Sequence, residues 1–116
     1  MHELSVAHAI VSTVTQAVPA DASVELVRVR VGTMSGVMAP ALEFAWDVAC
    51  QGTMLDGTRL EIETVPVKVR CGPCGRVVEP EVGVRCPHCQ TPSDYFVSGR
   101  DLEVVSVDLA QEASLS

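Results

Sequence analysis

Residues 24–31 run VELVRVRV. Apolar and charged side chains alternate along the stretch, with Val27, Val29 and Val31 on one side and Arg28 and Arg30 on the other. Period two of this kind belongs to a strand buried on one face and wet on the other. Two further stretches share its character. Residues 58–65, TRLEIETV, place Leu60 and Ile62 inward and Glu61 and Glu63 outward; residues 102–109, LEVVSVDL, have strand composition. The outward arginines of the first strand and the outward glutamates of the second are expected to pair across a sheet.

Helical spacing precedes and follows the first strand. In residues 3–18, Leu4, Ala7, Val11, Val14 and Val18 form one apolar stripe, and Pro19 ends it. Residues 40–50 start at Pro40, suited to the first helical turn, and bury Leu42, Ala45, Trp46 and Ala49, with Gly52 as C-terminal cap. Gly32–Gly36 reads as a flexible connection. The expected fold is α+β: a small α/β domain with two helices on a three-stranded sheet.

Residues 66–99 break the pattern. Pro, Gly and Cys dominate there and periodicity is lost, so the segment reads as an insertion between two strands. The expected organisation is an α/β domain of residues 1–65 and 100–116 carrying a zinc-ribbon-like module of residues 66–99. Residues 111–116, QEASLS, read as a frayed tail.

Five cysteines are present: Cys50 alone, and Cys71-Gly-Pro-Cys74 with Cys86-Pro-His-Cys89. Two C-x2-C knuckles at this separation can close a tetrahedron of thiolates around one ion, the geometry of structural zinc. Four thiolates also hold iron in a rubredoxin-like site. A closed shell leaves no open position for a substrate, so the metal is expected to be structural. The CGPC string resembles a redox dithiol, but Pro80, Gly83 and Pro87 follow where a helix should open. His88 reads as an exposed side chain in a turn whose sulfurs already serve as ligands, and Cys50 as a small buried apolar residue.

The N-terminus holds the other donors. The Met1 amine, the His2 amide and the His2 imidazole, beside Glu3, can all reach one ion, and nitrogen-rich planar sets favour Ni(II) or Cu(II). The bland alternative is an exposed histidine leading into a helix. His8, further along, reads as a surface or packing residue.

With 116 residues, 47% hydrophobic, the chain is expected to fold as a domain plus a small module. Eight Lys and Arg against fifteen Asp and Glu leave a net charge of −7. That balance argues against nucleic acid and against an anionic membrane surface. Residues 66–99 carry +1, so the remainder carries −8. There is no apolar run of spanning length and no basic leader, so a reducing cytoplasm is the expected location. No phosphate loop, paired acidic cleft or nucleophile–histidine arrangement is evident, so an enzyme is not expected.

The opening MHELS, the segments VRVRVGTMSGV (27–37) and ALEFAWDVACQGTMLDGTRLEIETVPV (41–67), and the two knuckles in order resemble the HypA/HybF family of nickel metallochaperones for [NiFe]-hydrogenase maturation. The resemblance implies two helices on a three-stranded sheet with a zinc module as an excursion. It implies a nickel site with His2 as the key side-chain ligand, Met1 through its amine, and Glu3 through its backbone nitrogen or as a neighbour. Cys71, Cys74, Cys86 and Cys89 carry over as the zinc ligands. Implied partners are a HypB-type GTPase, the hydrogenase large-subunit precursor, urease accessory proteins in some members, and a second copy in a homodimer. One departure is Ala39-Pro40-Ala41, where an acidic residue commonly follows the proline. The competing readings are a zinc-ribbon adaptor that binds only proteins, without metal delivery, and a thiol redox protein.

Overall fold

The computed structural model describes residues 2–80, 83–93 and 95–110; Met1 and the tail 111–116 lie outside them. Helix α1 (Glu3–Ala17) leads into β1 (Val24–Gly32), helix α2 (Ala39–Cys50) and β2 (Arg59–Val65). Three short strands follow, β3 (Lys68–Arg70), β4 (Val77–Val78) and β5 (Phe96–Ser98), and then β6 (Leu102–Leu109). The strands form two sheets, ordered β2-β1-β6 and β4-β3-β5.

In the first sheet β1 is central. It runs parallel to β2, with α2 as the crossover that a parallel pair requires, and antiparallel to β6. One face carries the core: Val27, Val29 and Val31 meet Val6, Ile10 and Val14 of α1 and Leu42 and Trp46 of α2. The apolar stripe of α1 is wider than a simple 3-4 spacing, because Val6 and Ile10 are buried beside Ala7, Val11 and Val14. The single tryptophan is locked in place, its indole N–H donating to the Thr58 carbonyl at 2.8 Å, while the Thr58 hydroxyl donates to the Val24 carbonyl at 2.8 Å. One helix and two strands thereby converge on a buried polar pair with both donors satisfied.

The wet face carries the charges. Arg28 lies opposite Glu61 and Arg30 opposite Glu63 in the parallel register, with ion pairs of 3.1 and 3.4 Å. Strand β6 adds carboxylates from the other side, Asp108 to Arg28 at 3.0 Å and Glu103 to Arg30 at 2.8 Å. Each guanidinium is thus held between two carboxylates, which raises its pKa above the ordinary arginine value, first through the hydrogen bonds it donates to Asp108 and Glu103 respectively. Glu103 and Asp108 are five residues apart, and strict alternation would put them on opposite faces. The register skips Val105 on β6, and this bulge returns Asp108 to the charged face.

The second sheet was not legible as strands. Its elements span two or three residues each. It has its own small core of Val69, Val78, Cys71 and Cys86, with Val67, Cys74 and Phe96 packed against it. The molecule is elongated, 60 × 31 × 19 Å, with a radius of gyration of 18.0 Å, against about 13 Å for a compact chain of this length. No described helix is long and apolar enough to cross a membrane.

The two sheets meet at a tight joint. The chain leaves β2 through Pro66-Val67 and returns through Gly99-Arg100-Asp101. There the Gly32 N–H donates to the Asp101 carbonyl (2.7 Å), the Thr33 N–H to Val65 (2.9 Å) and the Met34 N–H to Gly99 (2.7 Å). The turn after β1, read as a flexible connection, is therefore pinned to both crossing strands. A Cβ on Gly32 would run into the Gly99 carbonyl and the Arg100 nitrogen, which are backbone and cannot swing away. Gly32→Ala should therefore cost at least ~2 kcal/mol, as overpacking against fixed atoms does, read as a lower urea midpoint with an unchanged slope.

Candidate metal centre

Both knuckles are built alike. The Cys71 carbonyl accepts from the Gly75 N–H (2.8 Å), and the Cys71 N–H donates to the Arg76 carbonyl (2.9 Å). In the second, the Cys86 carbonyl accepts from Gln90 (2.8 Å), and the Cys86 N–H donates to Thr91 (3.0 Å). The fifth residue of each turn is left-handed, Gly75 at φ 68° and Gln90 at φ 64°. Gln90 is the only described non-glycine residue with positive φ. Glycine takes that conformation freely, whereas a side chain strains it by roughly 1–2 kcal/mol.

The turns bring Cys71, Cys74, Cys86 and Cys89 together, with all four sulfurs within 4.8 Å of one another. Cys71 Sγ lies 3.4 Å from Cys89 Sγ, and Cys74 Sγ lies 4.0 Å from Cys86 Sγ. Sulfurs about 2.3 Å from a central zinc stand about 3.8 Å apart at the corners of a tetrahedron, so the cage fits such an ion. Cys71 and Cys86 are fully buried in the lobe's core, while Cys89 is exposed. His88 is exposed, as expected for a residue outside the ligand set.

Electrostatics favours a cation. The Thr91 hydroxyl and N–H, followed by the Cys71 sulfur, draw the Cys89 pKa down to about 6. The neighbouring Cys89 and Cys71 sulfurs push the Cys74 thiol up to about 12. One sulfur ionises readily and makes the next ionisation harder, a conflict that a divalent ion among the four removes. Cys50 sits apart at the end of α2, where burial, then Asp47 and Asp56, raise its pKa to about 11. A thiol so protonated is no nucleophile at neutral pH.

The N-terminal donors lie on the other lobe. His2 is exposed and sits at the N-cap of α1, with its carbonyl accepting from the Val6 N–H at 3.1 Å. The Glu3 carboxylate reaches across to α2 and accepts from the Met38 N–H at 3.2 Å. That bond is the first cause of a lowered Glu3 pKa, and it joins the beginnings of the two helices. Nothing in the spacing of the sequence signals this link, because its partners lie far apart in the chain. His8 is exposed.

A helix-on-sheet domain joined to a four-cysteine lobe defines a small two-module metal-binding protein. The chain matches the family described as hydrogenase/urease nickel incorporation, metallochaperone, over residues 1–109, and it belongs to that family, HypA. It is 44% identical to the hydrogenase maturation factor HypA of Roseiflexus sp. (strain RS-1), covering 93% of this chain and 91% of that one. The HypA of Streptomyces avermitilis is 41% identical, covering 92% and 86%. The solution structure of the nickel metallochaperone HypA from Helicobacter pylori shares the fold, with a TM-score of 0.63 at 21% identity over 97% of this chain and 100% of that one.

Two outcomes follow from the knuckle geometry. Stripping metal with a strong chelator should abolish the structure of the cysteine lobe, since metal binding supplies roughly 10–16 kcal/mol in small thiolate modules. Emission from Trp46, buried in the other core, should stay unchanged. Gln90→Gly should slow metal extraction by the chelator and Gly75→Ala should hasten it, because the first relieves and the second introduces left-handed strain.

Proposed function

We propose that this chain is a cytoplasmic nickel metallochaperone, not an enzyme, which binds Ni(II) through Met1, His2 and Glu3 and delivers it to the [NiFe]-hydrogenase large-subunit precursor. In this reading residues 1–65 and 100–116 form the nickel-binding domain. Residues 66–99 form a zinc module whose ion is held by Cys71, Cys74, Cys86 and Cys89. A HypB-type GTPase is the cooperating partner, urease accessory proteins are alternative clients, and a homodimer is a compatible assembly.

The observation that supports this division of labour is the contrast between the two donor sets. The cysteine cage is closed, partly buried and tied by two matched turns. An ion there gives up its ligands only if the lobe opens, which suits a resident structural zinc. His2, by contrast, is exposed at the head of a helix. With the Glu3 carboxylate engaged by Met38, the imidazole and the backbone nitrogens of residues 2 and 3 remain as donors, and Met1 adds its amine. Nitrogen donors of this type suit Ni(II), and few groups must move to release the ion. Binding requires these donors to shed protons, so acid weakens the hold.

Titration of Ni(II) by calorimetry into the zinc-loaded protein tests the reading. His2→Ala should lower nickel affinity by roughly tenfold or more, about 1.4 kcal/mol, while zinc content stays at one ion per chain. Undiminished affinity would reject the N-terminal site.

A further inference from the structure

Helix α2 is apolar on two sides. Leu42, Trp46, Ala49 and Cys50 face the core. On an adjoining side Ala41, Phe44, Ala45 and Val48 follow the i, i+3, i+4, i+7 spacing of a helical recognition face, with Ala45 at the edge where it meets the core. Phe44 is 70% exposed and Val48 50%, and Met38 at the head of the helix is 66% exposed. Together with His2 at the N-cap and Glu3 and Leu4 of α1, this stripe lines a shallow groove of about 470 Å³. Large apolar side chains gathered on one surface mark an interaction site more often than chance exposure does.

The borders of the stripe select its occupant. Glu43 and Asp47 flank it one turn apart on the side away from α1, both exposed. Like charges at this spacing repel within a helix, and among the described residues neither has an ion-pair partner. On the other side lies Glu3, whose carboxylate accepts a hydrogen bond from the Met38 N–H. A second copy docking stripe to stripe would bring these acidic rows together, so charge disfavours it.

We propose that this groove docks an amphipathic helix of another protein, with an apolar face on Phe44 and Val48 and Lys or Arg side chains against Glu43 and Asp47. The proposal deepens the nickel reading, on which its purpose rests: the groove begins at His2. Metal–nitrogen bonds are about 2 Å long, so an ion passing directly between two proteins holds their donors within roughly 4 Å of each other. A helix seated on Phe44 places its own chain beside His2 and thereby makes such a bridge geometrically available. Because the anchors are surface side chains, docking requires no rearrangement of the core.

A labelled helical peptide tests the surface, with leucines at i, i+3, i+4 and i+7 and lysines on the flanks, and with a twin carrying glutamates in place of the lysines as control. Fluorescence anisotropy against the full-length, metal-loaded chain should show binding of the lysine peptide that weakens with salt. Phe44→Ser should reduce that affinity by roughly tenfold or more. Asp47→Lys should weaken the lysine peptide and improve the glutamate twin. Unchanged Trp46 emission and zinc content show that both variants are folded. Equal binding of the lysine peptide to wild type and Phe44→Ser, or no binding of it at all, overturns the proposal. Concentration-dependent self-association that Phe44→Ser abolishes assigns the face to a second copy and also overturns it. Nickel titration separates the two readings. Phe44→Ser should bind nickel as wild type does, and a His2→Ala protein with undiminished nickel affinity would sink the N-terminal site while leaving the peptide result standing.

Discussion

Four sulfur atoms held within 4.8 Å of one another cannot all carry negative charge unless a positive charge lies among them. This constraint organises the whole lobe between β2 and β6. The lobe's core is small, with Cys71 and Cys86 themselves among its buried residues, so the atoms that would grip an ion also do the packing. Hydrophobic burial on this scale is small, and the coordination energy of an ion held by the four sulfurs would add to it. The α/β domain has no such dependence. Its core runs from α1 across β1 to α2 without a metal-binding residue in the middle of it.

Much of the larger domain can be read from the chain because its elements are long enough to show a period. The alternation of residues 24–31 and 58–65 predicts the strands and the pairing of outward arginines with outward glutamates; that Arg28 meets Glu61 and Arg30 meets Glu63 is fixed by the register. What escapes is whatever depends on a register shift or on distant neighbours. The Asp108 and Glu103 partners are hidden because a bulge at Val105 breaks the alternation that would reveal them. The close approach of Gly32 to Gly99 joins residues far apart in sequence. Strands of two or three residues, such as β4 and β5, are too short for any period to register.

The candidate centres differ in the same way. Knuckle spacing alone is enough to anticipate the cysteine cage, because two residues between ligands already dictate a turn. It does not reveal that Gln90 takes the left-handed place that Gly75 fills in the sister turn, since glutamine carries no signal for it. At the chain's beginning the donor atoms are evident from the residue types. The tie from Glu3 to Met38 is not, and it joins the heads of α1 and α2, which the core already packs together. The groove beside His2 opens next to it.

The placement of the cysteine lobe between β2 and β6 bears on the order in which the molecule comes together. Strand β6 is the last element of the first sheet, and it reaches β1 only after the intervening segment has closed back on itself. As an unstructured loop, that segment imposes a closure entropy that grows with its length. In the folded chain β3 and β5 lie paired and antiparallel, and the two ends of the excursion emerge next to each other. An ion bound by the four cysteines would therefore act on the folding chain as a chaperone does: it would shorten the search of the final strand for its place, although none of the four cysteines belongs to the sheet being completed.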